Sequence, residues 1–262
     1  MVYLSFDIEE FDVPLERDNH YDVLSRGIEI SRFGTLKILE LLHEEQICAT
    51  FFCTTNFASR ESSLIKTIIN EGHEIASHGC SHFNLHPTDP EVSKCMLEDV
   101  FDIRLLGYRQ PKMQGVNLDY LKKCGYEYSA SLNPTFIPGR YFNLFCRRKP
   151  YFEDGIYVIP ASVTPITRIP LFWASMHFFP LFFYKLLCFW TIIVDKSINL
   201  YFHPWEFYPM NIDNMITVPF LIKHNSGEEA LRRLKSIIMM FKSKGERFGT
   251  YSEYVKQIAY NK

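Results

Sequence analysis

Apolar positions along the chain fall into two alternating spacings. Short runs at residues 2–6 (VYLSF), 49–53 (ATFFC), 74–78 (EIASH), 156–160 and 198–203 (INLYFH) read as buried strands. Between them lie stretches with helical spacing. Residues 35–45, TLKILELLHEE, place Leu36, Ile38, Leu39, Leu41 and Leu42 largely on one face. A second helix starts at Ser62, a capping residue, and stops at Gly72. Residues 90–106 carry acids early and Arg104 late, the order that a helix dipole favours. Residues 118–124 predict a short helix closed by Gly125, and 227–244 a long amphipathic one. GYRQP adds a short strand ended by Pro111, residues 126–131 are extended, and 248–251 form a last strand before a C-terminal helix. Strands and helices in such alternation argue for a parallel sheet, closed or open. No repeat or linker divides the chain, so residues 1–262 are read as one domain. The longest irregular stretch, 133–154, is rich in Pro, Arg and aromatics, and long loops in compact domains are often functional.

One segment departs from the alternation. Residues 169–194, IPLFWASMHFFPLFFYKLLCFWTIIV, contain Lys185 as their only charge, over a length that would span a bilayer. Pro180 in the middle and Lys185 close behind argue against spanning. Two readings stand: a mostly buried helix with an apolar face toward a partner subunit, or contact with a membrane surface, which suits a Trp- and Phe-rich segment bearing a lysine.

Composition narrows the partner classes. A chain of 262 residues with 23 Phe and 15 Tyr can bury a substantial core. A net charge of -2 supplies no basic surface for nucleic acid. The seven cysteines form no CxxC pair, and MVYLSFDIEE lacks a secretory pattern. A reducing, cytoplasmic setting fits, including the inner face of a membrane.

The chemistry gathers at strand ends. The first strand runs into Asp7, Glu9 and Glu10, the third into His78-Gly79-Cys80-Ser81-His82, GYRQP contains Arg109, and the strand at 198–203 ends in His203-Pro204-Trp205-Glu206. In a parallel α/β sheet these carboxyl ends form the active-site rim. Histidines four apart can share one face of a helical turn and bind one metal. EGHEIASH is not the metalloprotease motif, because His73 and His78 are five apart; His73 reads as structural. His86 falls in the loop after the histidine pair.

Together these segments resemble the polysaccharide deacetylase family, built on the NodB homology domain. SFDIEE resembles that family's first motif, TFDDG, in divergent form, and ATFFC its second-strand signature. EGHEIASHGCSH is similar to its metal-binding H-[ST]-x-x-H, with Gly79 where Ser or Thr is usual. GYRQP corresponds to its arginine motif and LYFHPWEF to its final histidine motif. The resemblance runs from residue 2 to about residue 254, and DIEE with HPWE is similar to a bacterial subgroup linked to surface-glycan synthesis.

The resemblance implies an α/β fold, a deformed (β/α) barrel, holding one divalent metal, usually zinc, on an acid and two histidines. His78 and His82 then stand as metal histidines and Asp7 as the catalytic base. The family's second aspartate aligns with Ile8, which cannot bind metal; Glu9 is the nearest substitute and Glu10 the reserve. Alternation along a strand puts Asp7 and Glu9 on one side and Glu10 on the other. Arg109 would hold Asp7 ionised through a charge-assisted hydrogen bond, and His203 would be the general acid. The aspartate that usually tunes this histidine is missing; YEYSASLNP offers Ser129 and Ser131 instead, and Glu206 is a candidate partner.

The implied reaction is hydrolysis of an acetyl group, on nitrogen, from a sugar of a glycan or glycan precursor. A backbone N–H after Arg109 is a candidate oxyanion donor, and aromatics at 138–152 with Trp205 are candidate sugar platforms. Two alternatives are a hydrolase of small or cyclic non-sugar amides on the same fold, and a non-catalytic glycan-binding relic.

Overall fold

The computed structural model describes residues 1–16, 21–213, 216 and 218–260. Its first half alternates as the spacing predicts: β1 (Val2–Ile8), α1 (Ile28–Glu44), β2 (Thr50–Cys53), α2 (Thr55–Arg60), α3 (Ser62–Asn70), β3 (Glu74–Ser77), α4 (Asp89–Phe101), β4 (Gly107–Tyr108), α5 (Leu118–Lys123) and β5 (Tyr128–Ser129). The second half adds β6 (Phe136–Ile137), β7 (Tyr141–Phe142), β8 (Tyr151–Glu153), β9 (Ile156–Val158), α6 (Trp173–Phe178) and α7 (Leu181–Asp195). It ends with β10 (Ile198–Phe202), α8 (Phe220–Lys223), α9 (Glu228–Ser243), β11 (Phe248–Gly249) and α10 (Tyr251–Tyr260).

The main sheet runs β10-β1-β2-β3-β4-β5-β9-β8, with β11 also paired to β1. Its pairs are parallel except β8 against β9. Parallel strands covered on both faces read as unbroken apolar runs, which is why β1 is buried at every position. Its even residues Val2, Leu4, Phe6 and Ile8 join the outer core with Ile38, Leu42 and Phe51. Tyr3 points the other way, to an inner cluster with Phe52, Tyr128 and Tyr251. Between β9 and β10 the curled sheet is bridged by single contacts. Ser162 N donates to Asn199 O (3.0 Å) and Asn199 Nδ2 to Pro160 O (3.1 Å). The deformed (β/α) barrel expected from the sequence is the fold observed.

Several boundaries differ for identifiable reasons. The first helix begins at Ile28, not residue 35, because a π-helical turn at Val23–Gly27 leads into it. The fourth stops at Phe101, not residue 106, because Asp102 takes a left-handed φ of 52°. The stretch at 133–154 is not irregular: it holds the β6–β7 hairpin and β8.

The segment at 169–194 is two helices. Pro180 caps α7, and its missing N–H interrupts the helical ladder. Nor is the segment mostly buried, since Phe178, Phe182 and Leu186 are 63%, 69% and 59% exposed. Among the described residues no helix is long and apolar enough to cross a membrane.

One close approach positions the site. A Cβ on Gly34 of α1 would lie 1.7 Å from the Pro204 carbonyl oxygen, so only glycine lets α1 press on the 3₁₀ turn Pro204–Phe207. That turn follows β10 and carries the residues just beyond His203.

Candidate active site

The inward alternation that begins at Tyr3 continues through Ser5 and Asp7. Arg109, just past β4, meets both: Nη1 donates to Asp7 Oδ1 (2.5 Å) and Nη2 to Ser5 Oγ (3.0 Å). Its Nε donates to Ala130 O (3.2 Å), and the guanidinium lies over the Phe52 ring at 4.0 Å. A guanidinium that is 1% exposed needs this many partners to offset its lost hydration. Asp7 is thereby oriented, with Oδ2 left 4.0 Å from His78 Nε2 and 3.9 Å from His203 Nε2.

Glu9 lies just beyond the end of β1, on the same side as Asp7. Its Oε2 is 3.1 Å from His78 Nε2 and 3.2 Å from His82 Nε2, and its Oε1 accepts from Trp205 Nε1 (3.3 Å). Ligand atoms of Glu9, His78 and His82 all lie within 4.8 Å of one another. His82 does not reach this position on a helical turn, as the four-residue spacing suggested. It follows a loop that Gly79 reverses with φ +75°, a conformation that favours glycine over Ser or Thr.

The donor chemistry fits a cation. His78 Nδ1 is 2.8 Å from the Arg109 carbonyl, which only accepts, so that nitrogen carries the hydrogen. With that hydrogen alone, the ring would turn a bare Nε2 toward a carboxylate oxygen 3.1 Å away, acceptor against acceptor. Such a pair calls for a proton or a metal ion between its members. Two imidazoles and one carboxylate match what divalent zinc accepts, and the carbonyl behind His78 is the usual support of a ligating ring. Burial alone would raise the Glu9 carboxyl, but the imidazoles of His82, His203 and His78 outweigh it and hold it at about 2. For His82 burial works downward, and the carboxylates of Glu9 and Asp12 lift it to about 9.

His203 forms the opposite flank. Its Nδ1 is 3.1 Å from Glu206 Oε1, and its backbone N donates to the same oxygen at 2.5 Å. The ring stacks on Trp205 with centroids 4.9 Å apart. Burial would lower the His203 pKa, yet Glu9, Glu206 and Asp7 together raise it. Glu206, weighed in the sequence as a partner for His203, therefore touches it directly. Ser129 and Ser131 instead hydrogen-bond each other (3.0 Å), and Ser131 Oγ accepts from Gln110 N (2.9 Å).

Other expectations need correction. Glu10, the reserve ligand, turns away from the histidines: it is fully buried and accepts from Thr54 Oγ1 and Asn56 Nδ2, each at 2.7 Å. Trp205 is 3% exposed and packed on His203, so it offers no open face to a sugar. Of the backbone donors after Arg109, Gln110 N–H is taken by Ser131 and Pro111 has none, so neither can meet an oxyanion. A cavity of about 610 Å³ opens over Asp7, Glu9 and the histidines, with Tyr141, Phe172 and Trp173 on its walls. Asp12 was not singled out by the sequence; its Oδ2 lies 3.0 Å from His82 Nδ1, at ion-pairing distance rather than in an aligned hydrogen bond. Nor was His177, whose Nε2 lies 3.0 Å from Glu206 Oε2.

With this geometry in view, residues 1–113 match the polysaccharide deacetylase family model. The motif-based resemblance is thereby borne out. A chitooligosaccharide deacetylase of Bradyrhizobium sp. (strain ANU 289) is 31% identical over 70 residues, 27% of this chain and 29% of that protein. A peptidoglycan deacetylase of Helicobacter pylori is 30% identical over 120 residues, 42% of this chain and 41% of that protein. The matched stretch thus spans well under half of those relatives' length.

Solved structures share the fold throughout. One from Mycobacterium smegmatis, classed with the polysaccharide deacetylases, covers 99% of this chain and 90% of its own at 19% identity and TM-score 0.66. The Puue allantoinase covers 97% of this chain and 88% of its own at 15% identity and TM-score 0.67. A CE4 family pseudoenzyme from Bacillus anthracis covers 97% and 65% at 14% identity and TM-score 0.53. Identities this low speak to fold alone, and the fold hosts deacetylase, allantoinase and inactive members.

Proposed function

We propose that this chain is a hydrolase that removes an acetyl group, on nitrogen, from a sugar of a glycan or glycan precursor, with zinc at Glu9, His78 and His82. The observation that carries the reading is the position of Asp7 Oδ2, 4.0 Å from His78 Nε2 and 3.9 Å from His203 Nε2. One carboxylate oxygen stands between a metal-competent group and a second imidazole. The matched deacetylases named for chitooligosaccharide and peptidoglycan support a sugar substrate. Tyr141 and Trp173 in the cavity wall offer rings on which a sugar can stack. Residues 1–262 serve this reading as one catalytic domain.

Zinc held at these three residues supplies Lewis acidity toward the acyl oxygen and lowers the pKa of a water. The chain's own residues do the rest. Arg109 pairs with Asp7 and fixes its direction through Oδ1, leaving Oδ2 to accept a proton from the attacking water. His203 directs Nδ1–H to Glu206, so its Nε2–H faces the cavity. Glu9, Glu206 and Asp7 favour its protonated form, and as the C–N bond breaks it gives that proton to the leaving amine. Acetate and a free amine are the products.

The test is metal content together with acetate release from a panel of N-acetylated sugars, run beside small cyclic amides. About one equivalent of zinc with acetate release supports the proposal. Opening of cyclic amides alone would move the reading to the amide hydrolase, whose fold the allantoinase shares at TM-score 0.67. Sugar binding without turnover would leave the glycan-binding relic.

For cellular setting we propose the cytoplasm, at the inner face of a membrane. Seven free cysteines suit a reducing compartment. The α7 face of Phe182, Leu186 and Ile193 is exposed, and the exposed base Lys196 caps the same helix, a combination that fits an anionic lipid surface. Co-flotation with anionic vesicles, lost on Phe182→Ser/Leu186→Ser, supports this; a wild-type chain that never floats refutes it.

A further inference from the structure

We propose that His177 is a positioning residue for His203, acting through Glu206 as a buried imidazolium. His177 comes from α6, inside the apolar segment at 169–194, and both it and Glu206 are fully buried. Its Nδ1 is 2.8 Å from the His224 carbonyl and its Nε2 is 3.0 Å from Glu206 Oε2. Asn225 Nδ2 donates to His177 O at 2.7 Å, so backbone and ring are both tied down.

The protonation state follows from the partners. A carbonyl oxygen only accepts, so Nδ1 carries a hydrogen. Facing the carboxylate at 3.0 Å in a fully buried site, a bare Nε2 would be acceptor against acceptor. Glu206 also takes the His203 backbone N at 2.5 Å and His203 Nδ1 at 3.1 Å through its other oxygen. A carboxylate receiving two N–H groups from His203 is already stabilised in its ionised form. The proton therefore sits on His177, and the two charges cancel where neither could be buried alone. A metal is not the alternative here, since among the described residues only Glu9, His78 and His82 gather three ligand atoms closely enough.

The consequence is directional. Glu206 cannot rotate to accept through Oε1 in another direction without abandoning His177, so it holds His203 in the orientation that points Nε2 at the cavity. The catalytic consequence rests on the hydrolytic reading above; the protonation state does not.

Nitrogen-15 NMR of imidazole-labelled protein at neutral pH separates the two. A ring with both nitrogens protonated is expected, assigned to His177 by the absence of its signals from His177→Gln. A His177 ring with one bare nitrogen overturns the proposal whether or not any substrate is turned over. In activity assays His177→Phe should lose about 10–100-fold in kcat with KM unchanged, the usual range for residues that orient a working side chain. His177→Gln, which keeps a donor toward Glu206, should recover most of that loss. If both variants fold and keep wild-type kcat, or if Gln is no better than Phe at equal thermal stability, His177 is merely structural and the proposal fails.

Discussion

Replacing Arg109 by Met tests whether Asp7 is held as a carboxylate from within the barrel. Met fills much of the same space but leaves Asp7, itself 3% exposed, without its cation. Stranding one partner of a buried ion pair costs about 3–5 kcal/mol. The donors lost to Ser5 and Ala130 add about 1 kcal/mol each. The total, about 5–7 kcal/mol, rivals the whole stability of an ordinary domain, roughly 5–15 kcal/mol, so Arg109→Met should sit at the margin of folding. Adding Asp7→Asn removes the stranded charge. The double variant should then be more stable than Arg109→Met alone, with a coupling of about 2 kcal/mol. Urea unfolding of the wild type, both single variants and the double variant measures this. Strict additivity, or an Arg109→Met that loses less than about 1 kcal/mol, would refute an ion pair that holds Asp7.

Three further expectations follow from the same packing. Glu9→Gln and His78→Ala should each abolish stoichiometric zinc by elemental analysis, whereas Glu10→Gln keeps the metal; loss of metal in Glu10→Gln would reverse the assignment of the two acids. Burial lowers the His73 pKa to about 4, and Glu71, 3.7 Å away on a partly exposed side chain, does not compensate. The unfolded chain therefore takes up this proton first as pH falls below 6.5, and wild type should lose about 2 kcal/mol between pH 7 and 5 that His73→Gln does not lose. Gly34→Ala drives a methyl into the Pro204 carbonyl and should cost about 1–3 kcal/mol while lowering kcat through His203; an unchanged melting point would show that α1 can move aside.

What could be read in advance was what local pattern encodes. Buried parallel strands announce themselves as apolar runs, and the side of each acid follows from a two-residue period, so Asp7 and Glu9 could be placed together. The β6–β7 hairpin was hidden because its strands are two residues each, too short for alternation to show. Asp12 and His177 were hidden because their importance exists only after folding. His177 meets Glu206 across 29 residues, from a segment whose apolar character masked a single histidine. Glu206 carried a legible signal that went underused: a Glu three residues after a helix-capping position reaches back to the cap, and here the cap is His203.

β1 is clamped on both edges, with Ser5 opposite Tyr201 on one neighbour and Thr50 on the other. The strand therefore cannot slide, and a slip of one residue would present Ile8 and Glu10 where Asp7 and Glu9 stand. The spacing between the two acids is thus a pleat repeat, about 7 Å of backbone, not the span of an adjustable loop. It also makes position 8 a poor place to rebuild a missing ligand. Ile8→Asp, which copies the more usual arrangement of neighbouring aspartates, would drive a carboxylate into the outer apolar layer beside Leu4 and Phe6. On the proposed reading, the ligand duty that position 8 cannot serve from the outer layer passes to Glu9, the next residue to share Asp7's face.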